Sequence, residues 1–163
     1  MNVSIRPQQI SDAKRYYEIL QNKNFRFFPV RPPSIEAEKR FLRRSRQDWK
    51  TGKAFGFSIL CDDEHIGAVG VQVNQHYSYI GEAGYFIDEK YWGRGIVVEA
   101  MRQLEVFIRA ETDLVRLELL MATGNKPSER VAIKCGYNKE GTLAHRLKIG
   151  DAYHDCYLYA KIL

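Results

Sequence analysis

The chain has 163 residues, 45% of them hydrophobic and 28% charged, with 25 Lys and Arg against 20 Asp and Glu for a net charge of +5. That balance fits one globular domain over 1–163, with a core able to bury roughly 70% of the unfolded surface. It excludes a disordered chain, and no apolar run approaches the roughly 20 residues of a membrane span or resembles a secretory leader.

The segment VSIR is a short strand. Ser11 is positioned to cap a helix in which Ala13, Tyr16, Tyr17 and Leu20 recur at i, i+3, i+4 and i+7. NFRFFPVRPP reads as an irregular connector, and Ser34 caps a second helix from about residue 35 to 50. The basic residues Lys39, Arg40, Arg43, Arg44 and Arg46 of that helix form a solvated face or a docking surface for an acidic partner. KAFGFSIL and HIGAVGVQVN are strands joined by a CDDE turn, and YSYIGEAGYFI is a third.

Two glycines around Arg94 then lead into a strong amphipathic helix carrying Val97, Ala100, Met101, Leu104 and Ile108 on one face. LVRLELLM alternates as a strand, NKPSERVAIKCGY is a short helix with Asn125 as its cap, and two strands around KIGD finish the chain. The order β-α-α-β-β-β-α-β-α-β-β predicts a mixed α/β (α+β) sheet flanked by helices. The cysteines Cys61, Cys135 and Cys156 are odd in number and widely spaced, as expected of reduced thiols in a cytoplasmic protein.

A helix N-terminus leaves backbone N–H groups unpaired and partly positive, and bare glycine backbone lets phosphate oxygens approach them. WGRGIV therefore reads as an anion site or as a tight strand-to-helix turn. It lacks the Gly-Lys-Ser/Thr ending of a P-loop and the third glycine of a dinucleotide fingerprint, where Val98 stands.

GYFIDEKYWGRGIVVEAM, followed by NKPSERVAIKCGYNKEG over Asn125–Gly141, resembles the GCN5-related N-acetyltransferase (GNAT) superfamily, and most closely its ribosomal-protein acetyltransferase-like branch. The resemblance implies a central, mostly antiparallel sheet of six to seven strands with a splayed central pair, about four helices, and acetyl-CoA as cosubstrate. Carried over, the N–H groups of Trp92, Gly93, Arg94, Gly95, Ile96 and Val97 would hold the CoA pyrophosphate. Phe86 and Ile87 would offer backbone groups to the pantetheine arm, and Asn125 and Ser128 would contact the arm and the sulfur. Val97 stands where the wider motif has Gly or Ala and is expected to crowd the phosphate.

Acetyl transfer to an amine requires a base and a proton donor for the departing thiolate. Glu82, on the strand leading to the cofactor, is the expected base, directly or through water. Ser128 is the expected acid, with Tyr137, Tyr153 and Tyr157 as alternatives. The four histidines show no metal spacing and no metal is expected. The expected reaction is direct transfer in a ternary complex, most readily to a protein or peptide N-terminal α-amine. A small-molecule amine such as a polyamine, or a non-catalytic CoA-binding role, are the alternatives. The chain has no nucleic-acid-reading motif, and a monomer or homodimer is expected.

Overall fold

A computed structural model describes residues 1–163. The elements follow the predicted order: β1 (Val3–Pro7), α1 (Ala13–Leu20), α2 (Ile35–Lys50), β2 (Ala54–Cys61), β3 (Glu64–Val73), β4 (Ile80–Ile87), α3 (Ile96–Glu111), β5 (Arg116–Ala122), α4 (Lys126–Lys134), β6 (Asn138–Ile149) and β7 (Ala152–Ile162). The seven strands form one sheet ordered β1-β2-β3-β4-β5-β7-β6, in which only the β4–β5 pair is parallel.

Local chemistry sets the boundaries. Ser34 Oγ accepts the Ala37 N–H at 3.1 Å and starts α2 after the two prolines, and Asn125 Oδ1 accepts the Ser128 N–H at 3.3 Å and starts α4. The Asp62–Asp63 turn between β2 and β3 has φ of 48° and 66°, the left-handed pair a tight hairpin requires. Ser11 is not the cap predicted for α1. A 3₁₀ turn over Ile10–Asp12 precedes that helix, and Asp12 Oδ2 takes the Gln9 N–H at 2.8 Å. That amide belongs to the 3₁₀ turn, and α1 itself starts with no side-chain cap.

Strand alternation divides the sheet into two faces. Phe57 and Ile59 of β2, Val69 and Val71 of β3, Ala83 and Ile87 of β4, and Leu117, Leu119 and Met121 of β5 bury against α3 and α4 in the larger core cluster, with Met101, Leu104, Ile108 and Ala132 from the helices. The opposite face carries α1 and α2, where Ala13, Tyr16 and Leu42 pack on Ala68 with Phe86 alongside. Glu82, Gly84 and Phe86 alternate with Ala83, Tyr85 and Ile87, so they project to the α1/α2 face. Each core leucine or isoleucine buried this way contributes about 1.5–3 kcal/mol.

Candidate active site

Strands β4 and β5 pair only over Ile80–Glu82 and Arg116–Glu118. β4 then runs on to Ile87 and β5 to Ala122 without further pairing, so the sheet opens between them and exposes backbone edges to any extended chain laid between. Gly81 sits where the strands converge; a Cβ there would stand 2.5 Å from Val71 Cγ2. The resulting cleft measures about 810 Å³, within the range of small-molecule sites. It is lined by the end of β4, the start of α3, the N-terminal turn of α4 and the α1–α2 connector.

At its α3 end lies the glycine loop. Gly93 and Gly95 have φ of 76° and 77°, and Gly95 is the residue from which α3 starts. This left-handed geometry is open to glycine at little cost and turns the following amides outward. The N–H groups of Gly93, Arg94, Gly95, Ile96, Val97 and Val98 donate to no protein acceptor; the first bond of the helix runs from Glu99 N–H to Gly95 C=O. The Trp92 N–H, expected to join this run, is taken by the Glu89 carbonyl at 3.0 Å in a 3₁₀ turn. The free run therefore begins at Gly93 and ends at Val98, one residue later than the motif predicts. The Trp92 indole occupies the Ile87 carbonyl at 2.8 Å, which removes that group from the set expected to meet a pantetheine arm. Val97 is nearly buried within the core cluster while lining the cleft floor, so its branched side chain is engaged in packing. Arg94 contributes its amide, but its guanidinium lies 5.4 Å from the Tyr91 ring and is absent from the cleft lining.

Asn125 and Ser128 line the cleft beyond the splay, on the α3/α4 face. Asn125 Oδ1 is the helix cap described above, which leaves its amide NH₂ for another partner. Beside Ser128 stands Tyr85, a residue sequence reasoning passed over. Burial pushes its phenol up to about 12, the nearby Ser128 hydroxyl pulls it the other way, and both line the cleft. Of the alternative acids, Tyr137 is buried behind the cleft against Glu105, Tyr153 stacks on His145, and Tyr157 faces the Lys139 ammonium; none lines the cleft. The buried Cys135 thiol, raised by desolvation, is no nucleophile.

Glu82 lies across the splay on the α1/α2 face. Partial burial raises its carboxyl above the ordinary range, and Glu118, opposite it in the β4–β5 register, pushes the same way; Arg146 opposes both. The Arg146 Nη2 to Glu82 Oε2 distance is 4.0 Å. Glu118 itself is held by Arg116, which donates from Nε at 2.8 Å and also grips Glu140. The connector closes this side with Phe25, Phe27 and Phe28. Phe25 meets Trp92 edge-on at 5.6 Å, Phe28 meets Phe86 at the same distance, and Asn22 and Asn24 tether the connector to Glu89 at 2.7 and 2.8 Å. The base and the acid candidates thus stand on opposite faces of the sheet, joined through the opening.

A helix start with unspent amides beside a parted strand pair defines the class of site: an anion-receptive loop at the mouth of an opened sheet. Residues 2–138 match the acetyltransferase (GNAT) domain family, and the chain belongs to it; members are enzymes that transfer acetyl groups from acetyl-CoA. The chain is similar to the ribosomal-protein-serine acetyltransferase of Escherichia coli, 32% identical over 112 residues; the match covers 69% of this chain and 63% of that enzyme, just under two thirds of its length. It is 27% identical over 168 residues to the putative ribosomal N-acetyltransferase YdaF of Bacillus subtilis, covering 98% and 90% of the two chains. In fold it is similar to RimL, a ribosomal-protein α-N-acetyltransferase solved with coenzyme A, with a TM-score of 0.92 at 20% identity over 100% of this chain and 95% of that one. No helix of the chain is long and apolar enough to cross a membrane.

Proposed function

We propose that the chain is an acetyl-CoA-dependent N-acetyltransferase that acetylates a protein or peptide N-terminal α-amine by direct transfer in a ternary complex. The observation that carries this reading is the run of six unspent amides from Gly93 to Val98, opening onto the unpaired edges of β4 and β5. The residues fit the cosubstrate: the amides would hold its pyrophosphate at the positive end of α3. The unpaired β4 edge and the Asn125 amide would take the pantetheine arm, and Arg130 and Lys134 of α4 add positive charge on the same face. Bound acetyl-CoA supplies the acetyl group as an activated thioester.

The chain's own groups do the rest. Glu82 takes the proton shed by the neutral acceptor amine as its nitrogen attacks the thioester carbonyl, directly or through one water, for which its raised pKa suits it. Ser128 Oγ, backed by the Tyr85 phenol, returns a proton to the departing sulfur. Unpaired β4 amides donate to the carbonyl oxygen as charge grows there. The phenylalanines of the connector exclude water. An α-amine, with a pKa near 7.7–8.0, is about one-tenth neutral at pH 7, against roughly one lysine in a thousand or fewer. A single carboxylate base therefore serves the α-amine far better. Such an enzyme works in the cytoplasm, and three free, buried cysteines fit a reducing compartment.

The test is thiol release from acetyl-CoA with a peptide bearing a free α-amine, set against its N-blocked, lysine-containing twin. Release with the first and not the second is expected. Equal release with both, or release only with the blocked twin, would overturn the α-amine assignment.

A further inference from the structure

Of the charged side chains that line the cleft, Glu82 is the single acid, while Arg26, Arg130, Lys134 and Arg146 are basic. Two of these cations are accounted for above, since Arg130 and Lys134 stand on α4 on the cofactor face. The other two stand on the acceptor face, where no group of the cosubstrate is needed. Arg26 belongs to the α1–α2 connector, and its side chain makes no hydrogen bond or ion pair in the protein. Arg146 has one loose partner, Glu82, at 4.0 Å.

Arg146 is aimed by a built feature. β6 and β7 pair Leu143 with Cys156 and Leu147 with His154, so three residues of β6 oppose Asp155 alone. His145, at the centre of this bulge, has φ of 51°, a conformation L-residues adopt at a cost. Asp155 holds it there by accepting the His145 N–H at 2.9 Å, and the imidazole stacks on Tyr153 at 5.7 Å between centroids. Leu147 lines the cleft, and simple alternation would turn Arg146 to the opposite face; the bulge breaks the alternation and delivers the guanidinium to Glu82.

We infer that Arg146, assisted by Arg26, makes this enzyme selective for acceptors that carry negative charge just beyond the amine: peptides with Asp or Glu at positions 2 and 3. The inference rests on the N-terminal acetyltransferase reading and names its substrate class. An extended peptide advances about 3.3 Å per residue, so with its amine at Glu82 its second and third side chains fall within reach of a guanidinium that stands 4.0 Å from the same carboxylate. An acidic side chain completes the partial pairing of Arg146, and a lysine there meets a like charge in a partly desolvated cleft. Glu118 and Glu140 do not reverse this sign, because Arg116 binds both and neither lines the cleft.

The experiment compares kcat/KM for three peptides with the same first residue and free α-amine, carrying acidic, neutral or basic residues at positions 2 and 3. A second panel of small amines pairs each free amino acid with its amide. The wild type is expected to favour the acidic peptide over the neutral one by about tenfold, equivalent to about 1.4 kcal/mol. The preference should shrink in high salt. Arg146→Glu should invert the order and Arg146→Lys should retain it, whereas a merely structural role for Arg146 would leave the ratio unmoved. An unchanged ratio in Arg146→Glu, or a wild-type preference for the basic peptide, overturns the inference. If no peptide reacts but the small amines do, the peptide reading fails by itself: a free-carboxylate preference lost in Arg146→Glu then upholds anionic selection, and its absence ends it. Turnover with neither panel overturns both.

Discussion

Glu82 shows how one residue's ionisation is set by the neighbours it meets on one face of the sheet. Its ordinary carboxylate pKa is lifted first by burial and then by Glu118, and restrained by Arg146. As the proposed base it works only when deprotonated, so activity should be lost as pH falls through its folded pKa. The acceptor's own amine must be neutral as well. Log kcat/KM is therefore expected to fall with slope one below the amine pKa, near 8, and with slope two below that of Glu82. Arg146→Gln removes the restraint and should move the second break to higher pH, while Glu118→Gln should move it lower. Glu82→Gln should abolish the second break and cut turnover by roughly 100-fold or more, the usual worth of a positioned base. A pH–rate profile unchanged by all three would remove Glu82 from the mechanism. The cleft positions of Asn125 and Ser128 were legible in the sequence because both belong to a motif in register with a predicted element, and that of Glu82 because it lies on the strand leading into one. Arg130 and Lys134 lay inside the quoted motif without an assigned task. Tyr85 gave no separate signal, being one aromatic in a strand, and Arg146 gave none, because a bulge pinned from the neighbouring strand is invisible to periodicity.

In the proposed function the glycine loop is the element on which binding turns. Gly95 has φ of 77°, and a Cβ built there meets nothing within 4 Å. A side chain at this point therefore costs only backbone strain, about 1–2 kcal/mol, and no clash. Denaturant unfolding should find Gly95→Ala and Gly95→Trp destabilised by similar amounts without ligand. They should part when CoA is added. Wild type at 100 times its dissociation constant gains about 2.7 kcal/mol, and Gly95→Trp, whose indole covers the open amides, should lose that gain. Equal stabilisation of wild type and Gly95→Trp would show that the phosphates bind elsewhere. The loop was readable only through the family resemblance, since its glycines by themselves suit an anion site or a tight strand-to-helix turn. Its exact register was not: the Trp92 amide and indole are both consumed by hydrogen bonds, to Glu89 and Ile87, that only the folded turn creates. The start of α1 failed for a related reason, since the 3₁₀ turn over Ile10–Asp12 leads into the helix and leaves Ser11 no amide of α1 to cap.

Across the whole molecule, element identity and order were legible from hydropathy period and caps, but the sheet order was not. The placement of β7 between β5 and β6 depends on contacts distant in sequence, as does the network that fastens α1 to the sheet. Asp12, 4% exposed, receives Arg6 Nη2 at 2.7 Å and Ser58 Oγ at 2.7 Å, and Ser58 in turn bonds the buried Tyr16 hydroxyl at 2.8 Å. The network joins β1, α1 and β2. Burial alone would raise the Asp12 carboxyl, but Arg6, Ser58 and the Gln9 N–H together hold it at about 2, below the ordinary 3.8. A carboxyl depressed in the folded state is more readily protonated when unfolded, so its contribution is complete above about pH 4 and drains away as pH falls toward 2. The shift corresponds to about 2 kcal/mol. His65, whose pKa is lowered chiefly by burial, loses its share earlier, as pH drops through 6.5. Stability followed by denaturant midpoint should therefore fall in two stages on acidification. Asp12→Asn should be less stable than wild type at neutral pH, because it leaves Arg6 and Ser58 poorly matched, and should lack most of the second stage. A variant whose midpoint tracks that of wild type from pH 4 to pH 2 would mean that Asp12 is as free in the folded protein as in the unfolded one, and that α1 is held to the sheet by packing alone.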